Sequence, residues 1–118
     1  MKRRLSVLLP RPDAAVFVAC ESDRIVGFVH VAAVSSLLSE GYAEVLGLVV
    51  LRDQRRRGIG RVLVRAAEQW SMRAGFNRVR LRSGAQRGDA HRFYERIGYA
   101  RSRASFAFQR TLDEHING

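Results

Sequence analysis

The densest chemistry in the chain lies in Arg55, Arg56, Arg57, Gly58, Ile59, Gly60 and Arg61, where arginines surround two closely spaced glycines. A guanidinium offers phosphate oxygens a planar fork of donors, and glycine lets a phosphate approach the backbone closely. The segment before the loop, Val45 to Leu51, is apolar throughout and rich in branched residues, as expected of a strand buried on both faces. The segment after it places apolar residues at Ile59, Val62, Leu63, Ala66, Ala67 and Trp70, the spacing of a helix with one buried face. Such a helix start exposes backbone N–H groups and the positive end of the helix dipole. The stretch therefore predicts an anion site, most economically a diphosphate-binding turn. A solvated arginine loop is the competing reading. Two other phosphate loops do not fit. The Rossmann fingerprint needs a third glycine where Leu63 stands and an acidic residue where the chain reads Arg78-Val79-Arg80. A Walker loop needs Gly-Lys-Ser/Thr, and the only lysine is Lys2.

A second cluster follows at Ala90-His91-Arg92-Phe93-Tyr94-Glu95-Arg96-Ile97-Gly98-Tyr99. It resembles the Ala-x-x-Phe-Tyr-x-x-x-Gly-(Phe/Tyr) signature of the GNAT superfamily of acetyl-CoA-dependent N-acetyltransferases. Arg55 to Gly60 resembles that family's (Gln/Arg)-x-x-Gly-x-(Gly/Ala) signature. The two occur in the family's order, with a predicted helix and strand between them, and the likeness covers about residues 14–110. It implies a mixed-sheet α/β domain with the GNAT-like acyl-CoA N-acyltransferase fold, abbreviated at its N-terminus. It also implies acetyl-CoA as co-substrate, no metal, and a small-molecule amine as acceptor.

The resemblance assigns roles residue by residue. Arg55, Arg56, Arg57, Gly58, Ile59, Gly60 and Arg61 would hold the diphosphate of coenzyme A. Leu48, Val49 and Val50 would bond the pantetheine arm through their main chain and polarise the thioester carbonyl. Arg87 stands where the family often has Asn, and could instead reach a coenzyme A phosphate. Tyr94 resembles the general acid that protonates the leaving sulfur; a tyrosine phenol still carries its proton at pH 7, as a donor must. An alkylammonium of pKa about 10.4 is rarely neutral at pH 7, a handicap of roughly 4–5 kcal/mol, so a base is valuable. Glu44, at the head of the predicted strand and fourteen residues before Gly58, sits at the spacing used by the histone-acetylating branch. Many bacterial relatives place the glutamate two residues later, where this chain has Leu46. Glu40 is a weaker candidate for holding the acceptor.

Around these residues the periodicities predict the supporting elements. Residues 1–13 end in Pro10-Arg11-Pro12-Asp13, a loop signal, and leave room for little more than the tail of one of the family's wall helices. A minimal member, a pocket completed by a partner chain, or a start further upstream would each account for that. Ala15 to Cys20 and Ile25 to Ala33 read as a hairpin, with His30 a structural imidazole and Gly27 a bulge, a close backbone approach or a packing glycine. Val34 to Gly41 reads as a Ser-rich connection, a short lid or an ordinary loop pinned by Leu37 and Leu38. Gly75 should stop the first helix. Arg78 to Arg82 alternates like a strand, Asp89 caps a short helix from Ala90 to Arg96, and Ser105 to Arg110 reads as a last strand.

The chain has 118 residues, 47% hydrophobic and 27% charged, which predicts one folded domain over residues 1–118. Its net charge of +10 predicts attraction to polyanions. With the row Arg78, Arg80 and Arg82 it also fits a nucleic-acid-binding module, though no helix-turn-helix or RNP-like signature accompanies it. A coenzyme A-binding regulatory protein without catalysis is a further alternative. Cys20 is the sole cysteine, so a reducing cytoplasm is the simplest setting. No apolar run is long enough to span a membrane. A homodimer sharing pocket walls is the expected assembly.

Overall fold

The computed structural model describes residues 3–36, 39–81, 88–101 and 108–112. They fall into two compact units, residues 1–86 and residues 87–118. The first unit holds a five-stranded sheet in sequence order: β1 (Arg3–Pro10), β2 (Ala14–Glu21), β3 (Arg24–Ser36), β4 (Ser39–Val50) and β5 (Val79–Leu81). Its first four strands are antiparallel, and β5 joins β4 in parallel after the crossover helix α1 (Ile59–Arg73). The second unit contains α2 (Gly88–Arg96).

Strand alternation decides which face is core. Ala15, Phe17, Ala19, Val29, Val31, Ala43 and Val45 are buried together with Ile59, Leu63, Ala66 and Ala67 of α1. Leu48, Val50, Val79 and Leu81 pack at the edge of this cluster. Gly27 explains how close the helix comes. A Cβ there would lie 2.8 Å from the Val49 carbonyl oxygen and 3.1 Å from Leu63 Cδ1, so a side chain would force β3, β4 and α1 apart. The close backbone approach expected at Gly27 is thus present, and the register shift from the Ala19–Gly27 pair to the Cys20–Ile25 pair places a bulge beside it, while Leu63 packs against the same position.

Both helix stops occur as expected. At the end of α1, the Gly75 N–H donates to Met72 and the Phe76 N–H to Ser71, with Gly75 at φ 95°. At the end of α2, the Gly98 N–H donates to Glu95 and the Tyr99 N–H to Tyr94, with Gly98 at φ 106°. These are Schellman closures, which need a left-handed residue after the last turn. The β2–β3 hairpin turns through Ser22 and Asp23, both at positive φ, the two-residue geometry that suits the sheet's twist.

Three expectations change. Residues 3–10, expected to hold little more than the tail of a wall helix before the Pro10–Asp13 loop, form the edge strand β1; Pro10 ends it, where a missing N–H interrupts no interior ladder. The Val34–Gly41 connection is taken up by β3, which runs to Ser36, and β4, which starts at Ser39, with Ser36 paired to Ser39. Leu37 and Leu38 lie outside the described residues. Gly41, at φ 86°, absorbs the accompanying irregularity, because a Cβ there would meet the Val34 carbonyl oxygen at 2.9 Å. Finally, α2 begins at Gly88, so Asp89 lies within the first turn rather than before it, still where an acidic group meets the positive end of the helix. The last strand read over Ser105 to Arg110 falls largely outside the described residues.

Candidate active site

Strand β4 positions most of the residues singled out above. Glu44 is not at the head of the strand, as expected, but in its middle, because β4 starts five residues earlier at Ser39. It is half-buried, and its register partners are Ala32 on β3 and Arg80 on β5. A carboxylate set between two bonded neighbours has little freedom of backbone placement.

Two residues further on the strand changes character. Val45 pairs with Val31 and Gly47 with His30, which leaves Leu46 as an extra residue in β4, a bulge whose side chain is 55% exposed. Beyond the bulge, β4 pairs with β3; among the described residues, β5 pairs with Ala43, Glu44 and Val45. The Leu51 N–H donates to the Val26 carbonyl at 2.9 Å. The alternation of an antiparallel ladder then turns Gly47 and Val49 toward β3 and turns the N–H and C=O groups of Leu48 and Val50 away from it. The Val50 carbonyl accepts the Arg55 Nε–H at 3.3 Å, consistent with that outward direction.

The loop after β4 winds through a short 3-10 turn, Arg52–Gln54, and then through two left-handed residues, Arg56 at φ 66° and Gly58 at φ 81°. Gly58 starts α1 without any side-chain cap, and the first α-helical bond of α1 runs from the Val62 N–H to the Gly58 carbonyl. The N–H groups of Ile59, Gly60 and Arg61 therefore point out of the helix end. Among the described residues, nothing lies within 4 Å of where a Gly58 Cβ would be. Ile59 itself is buried and anchors the helix start, while Arg56 and Arg61 are exposed.

The arginines of the loop are not equivalent. Arg57 donates to Glu21 Oε1 at 3.1 Å and to the Gln54 side chain. Glu21 is nearly buried at the end of β2, so this pair ties the loop to the sheet. Arg24 and Asp53 form a second, exposed tie at 3.3 Å. No sequence pattern signalled either bond, since the partners are about thirty residues apart.

A further group escaped the sequence reading. The Arg80 guanidinium lies over the Tyr42 ring, 4.3 Å from its centroid. Alternation along the chain marks Arg80 only as one member of the Arg78, Arg80 and Arg82 row.

The second unit is described by itself. In it, Tyr94 lies on α2 with its ring 5.4 Å from that of Phe93 and 6.4 Å from that of Tyr99. Arg87 lies outside the described residues. The expected residues Glu44, Leu48, Val49, Val50 and Arg55 to Arg61 all lie in the first unit, on β4, the loop after it and the start of α1.

This arrangement has relatives. Residues 2–99 match the model of the acetyltransferase (GNAT) family. The N-acetyltransferase YhdJ of Bacillus subtilis strain 168 is 43% identical over 53 residues, 44% of this chain and 37% of that protein. The aminoalkylphosphonate N-acetyltransferase of Salmonella typhimurium strain LT2 is 41% identical over 63 residues, 53% of this chain and 41% of that protein. The matched part thus spans about two fifths of each curated relative. Among solved structures, an aminoglycoside acetyltransferase from an uncultured soil metagenomic sample, in complex with sisomicin, superposes with a TM-score of 0.77 at 27% identity, over 90% of this chain and 70% of that one.

Proposed function

The chain belongs to the acetyltransferase (GNAT) family, and from that membership we propose that it moves the acetyl group of acetyl-CoA to the primary amine of a small molecule by direct attack. Family membership aside, the reading rests on one observation: β4 presents a carboxylate fixed between two strands and, past a bulge, an outward backbone edge that leads to an uncapped helix start. Coenzyme A fits those residues. Its diphosphate suits the N–H groups of Ile59, Gly60 and Arg61, with Arg55, Arg56 and Arg61 adding charge and Arg57 bracing the loop through Glu21. Its extended arm suits the outward edge of Leu48 and Val50, Val49 supplying the bond to β3 that holds this edge in place. Bound acetyl-CoA supplies an activated acyl group and a thiolate leaving group.

The chain's own groups do the rest. Glu44 accepts the proton that the acceptor ammonium must lose. A β4 backbone N–H polarises the carbonyl under attack. Tyr94 keeps a proton on its phenolic oxygen for the departing sulfur. The family match runs across the boundary between the two units, which supports one functional domain over residues 1–118. Small-molecule amines as acceptors are supported by the relatives, one an aminoalkylphosphonate and one an aminoglycoside acetyltransferase. A reducing cytoplasm and a homodimer belong to the same reading, and light scattering checks the latter.

The test is a thiol-release assay with acetyl-CoA across a panel of amines, beside calorimetry with coenzyme A alone. Binding together with amine-dependent release is expected, with Tyr94→Phe losing turnover while keeping affinity for coenzyme A. Absence of coenzyme A binding, with salt-sensitive binding of nucleic acid in its place, would overturn the reading.

A further inference from the structure

We propose that the acceptor is a zwitterionic amine, one bearing an oxyanionic group, carboxylate or phosphonate, within a few bonds of its nitrogen. The inference rests on the acetyltransferase reading and narrows it. Glu44 and Arg80 are register partners on the parallel β4–β5 ladder, so their side chains leave the same face of the sheet. Tyr42 lies two residues before Glu44 on the same strand and therefore shares that face. Its ring carries the Arg80 guanidinium at 4.3 Å. A carboxylate and a guanidinium thus stand side by side, and the guanidinium rests on an aromatic surface.

That support matters for recognition. A guanidinium lying over a ring is held by its flat face, which leaves the donors in its plane available to an oxyanion. Arg80 is exposed, so a ligand reaches it from solvent, while Glu44 beside it is half-buried. Neighbouring strands are about 4.8 Å apart. Side chains that leave one face of neighbouring strands at this spacing can both meet a small ligand that carries an amine and an anion a few bonds apart.

Charge excludes the opposite class. The chain carries 21 Lys and Arg against 11 Asp and Glu, and Arg80 adds a positive charge immediately beside the carboxylate that must receive the amine. A polycation would be repelled by the whole protein and by its nearest neighbour in the site. A molecule with its own anion turns that neighbour into a partner.

Four acceptors separate the cases: aminomethylphosphonate, β-alanine, ethanolamine and spermidine, each assayed by thiol release with the full chain. We expect kcat/KM for aminomethylphosphonate or β-alanine to exceed that for ethanolamine and spermidine by about tenfold or more, the size of a charge-assisted bond. Which of the two anionic amines leads tells phosphonate from carboxylate. Arg80→Gln should abolish the preference through KM, with coenzyme A affinity by calorimetry and the circular-dichroism melt unchanged, and Arg80→Lys should restore part of it. Preference for spermidine or ethanolamine overturns the inference. So does an Arg80→Gln variant that lowers all four acceptors by the same factor, because a structural pairing with Glu44 would act that way. Coenzyme A binding without turnover of any of the four also overturns it. Failure to bind coenzyme A at all marks failure of the acetyltransferase reading itself.

Discussion

From Ala43 to Val45, strand β4 is bonded on both edges, to β3 and to β5; from Gly47 to Val50 it is bonded, among the described residues, to β3 alone. The two halves share one backbone and meet at the Leu46 bulge, yet they offer different things. The first half fixes the position of a side chain, Glu44. The second offers its main chain, because the N–H and C=O groups of Leu48 and Val50 are turned away from β3.

The largest expected effect comes from the clamped half. Glu44→Gln should lower kcat by about 10²–10³-fold, roughly 3–4 kcal/mol of barrier, with the affinity for coenzyme A measured by calorimetry unchanged. Equal losses in turnover and coenzyme A affinity would erase the distinction between the halves. Next is Gly27→Val, placed against the paired edge of the second half. Its Cβ would meet the Val49 carbonyl and Leu63, so the chemical-denaturation midpoint should report a loss of about 2–3 kcal/mol. Without that loss, β3 would not be what holds the open half in place.

A smaller effect sharpens the ligand side. Gly58→Ala asks an alanine to adopt φ 81° with open space around its Cβ, a backbone penalty of about 1–2 kcal/mol. A calorimetric Kd for coenzyme A about tenfold weaker, with the fold intact, is the expected outcome. The smallest change is Asp53→Asn, which removes an exposed tie to Arg24. It should alter stability by less than about 1 kcal/mol in thermal melts.

Much of this was legible in the residues. The helix after the arginine loop, its Gly75 stop, the Gly98 stop and the β2–β3 hairpin follow from periodicity and from glycine chemistry, both of which are local. The edge strand β1 was hidden because proline and arginine read as loop signals, although both are tolerated where one side of a strand faces solvent. The β3–β4 hairpin was hidden by serines and leucines without a turn signature. Of the candidate site, the uncapped helix start after a basic loop and a carboxylate on the strand before it were legible from type and spacing. The bulge at Leu46, the Glu21–Arg57 tie and the seat of Arg80 on Tyr42 depend on which residues meet across strands, and no spacing along the chain encodes that.

The most direct measurement is residue-resolved amide hydrogen exchange with and without coenzyme A. The Leu48, Val50, Ile59, Gly60 and Arg61 amides should slow on binding, while Val49, already bonded to β3, stays as it was. Unchanged exchange at Leu48 and Val50, with protection confined to the Arg78 to Leu81 row, would contradict the account.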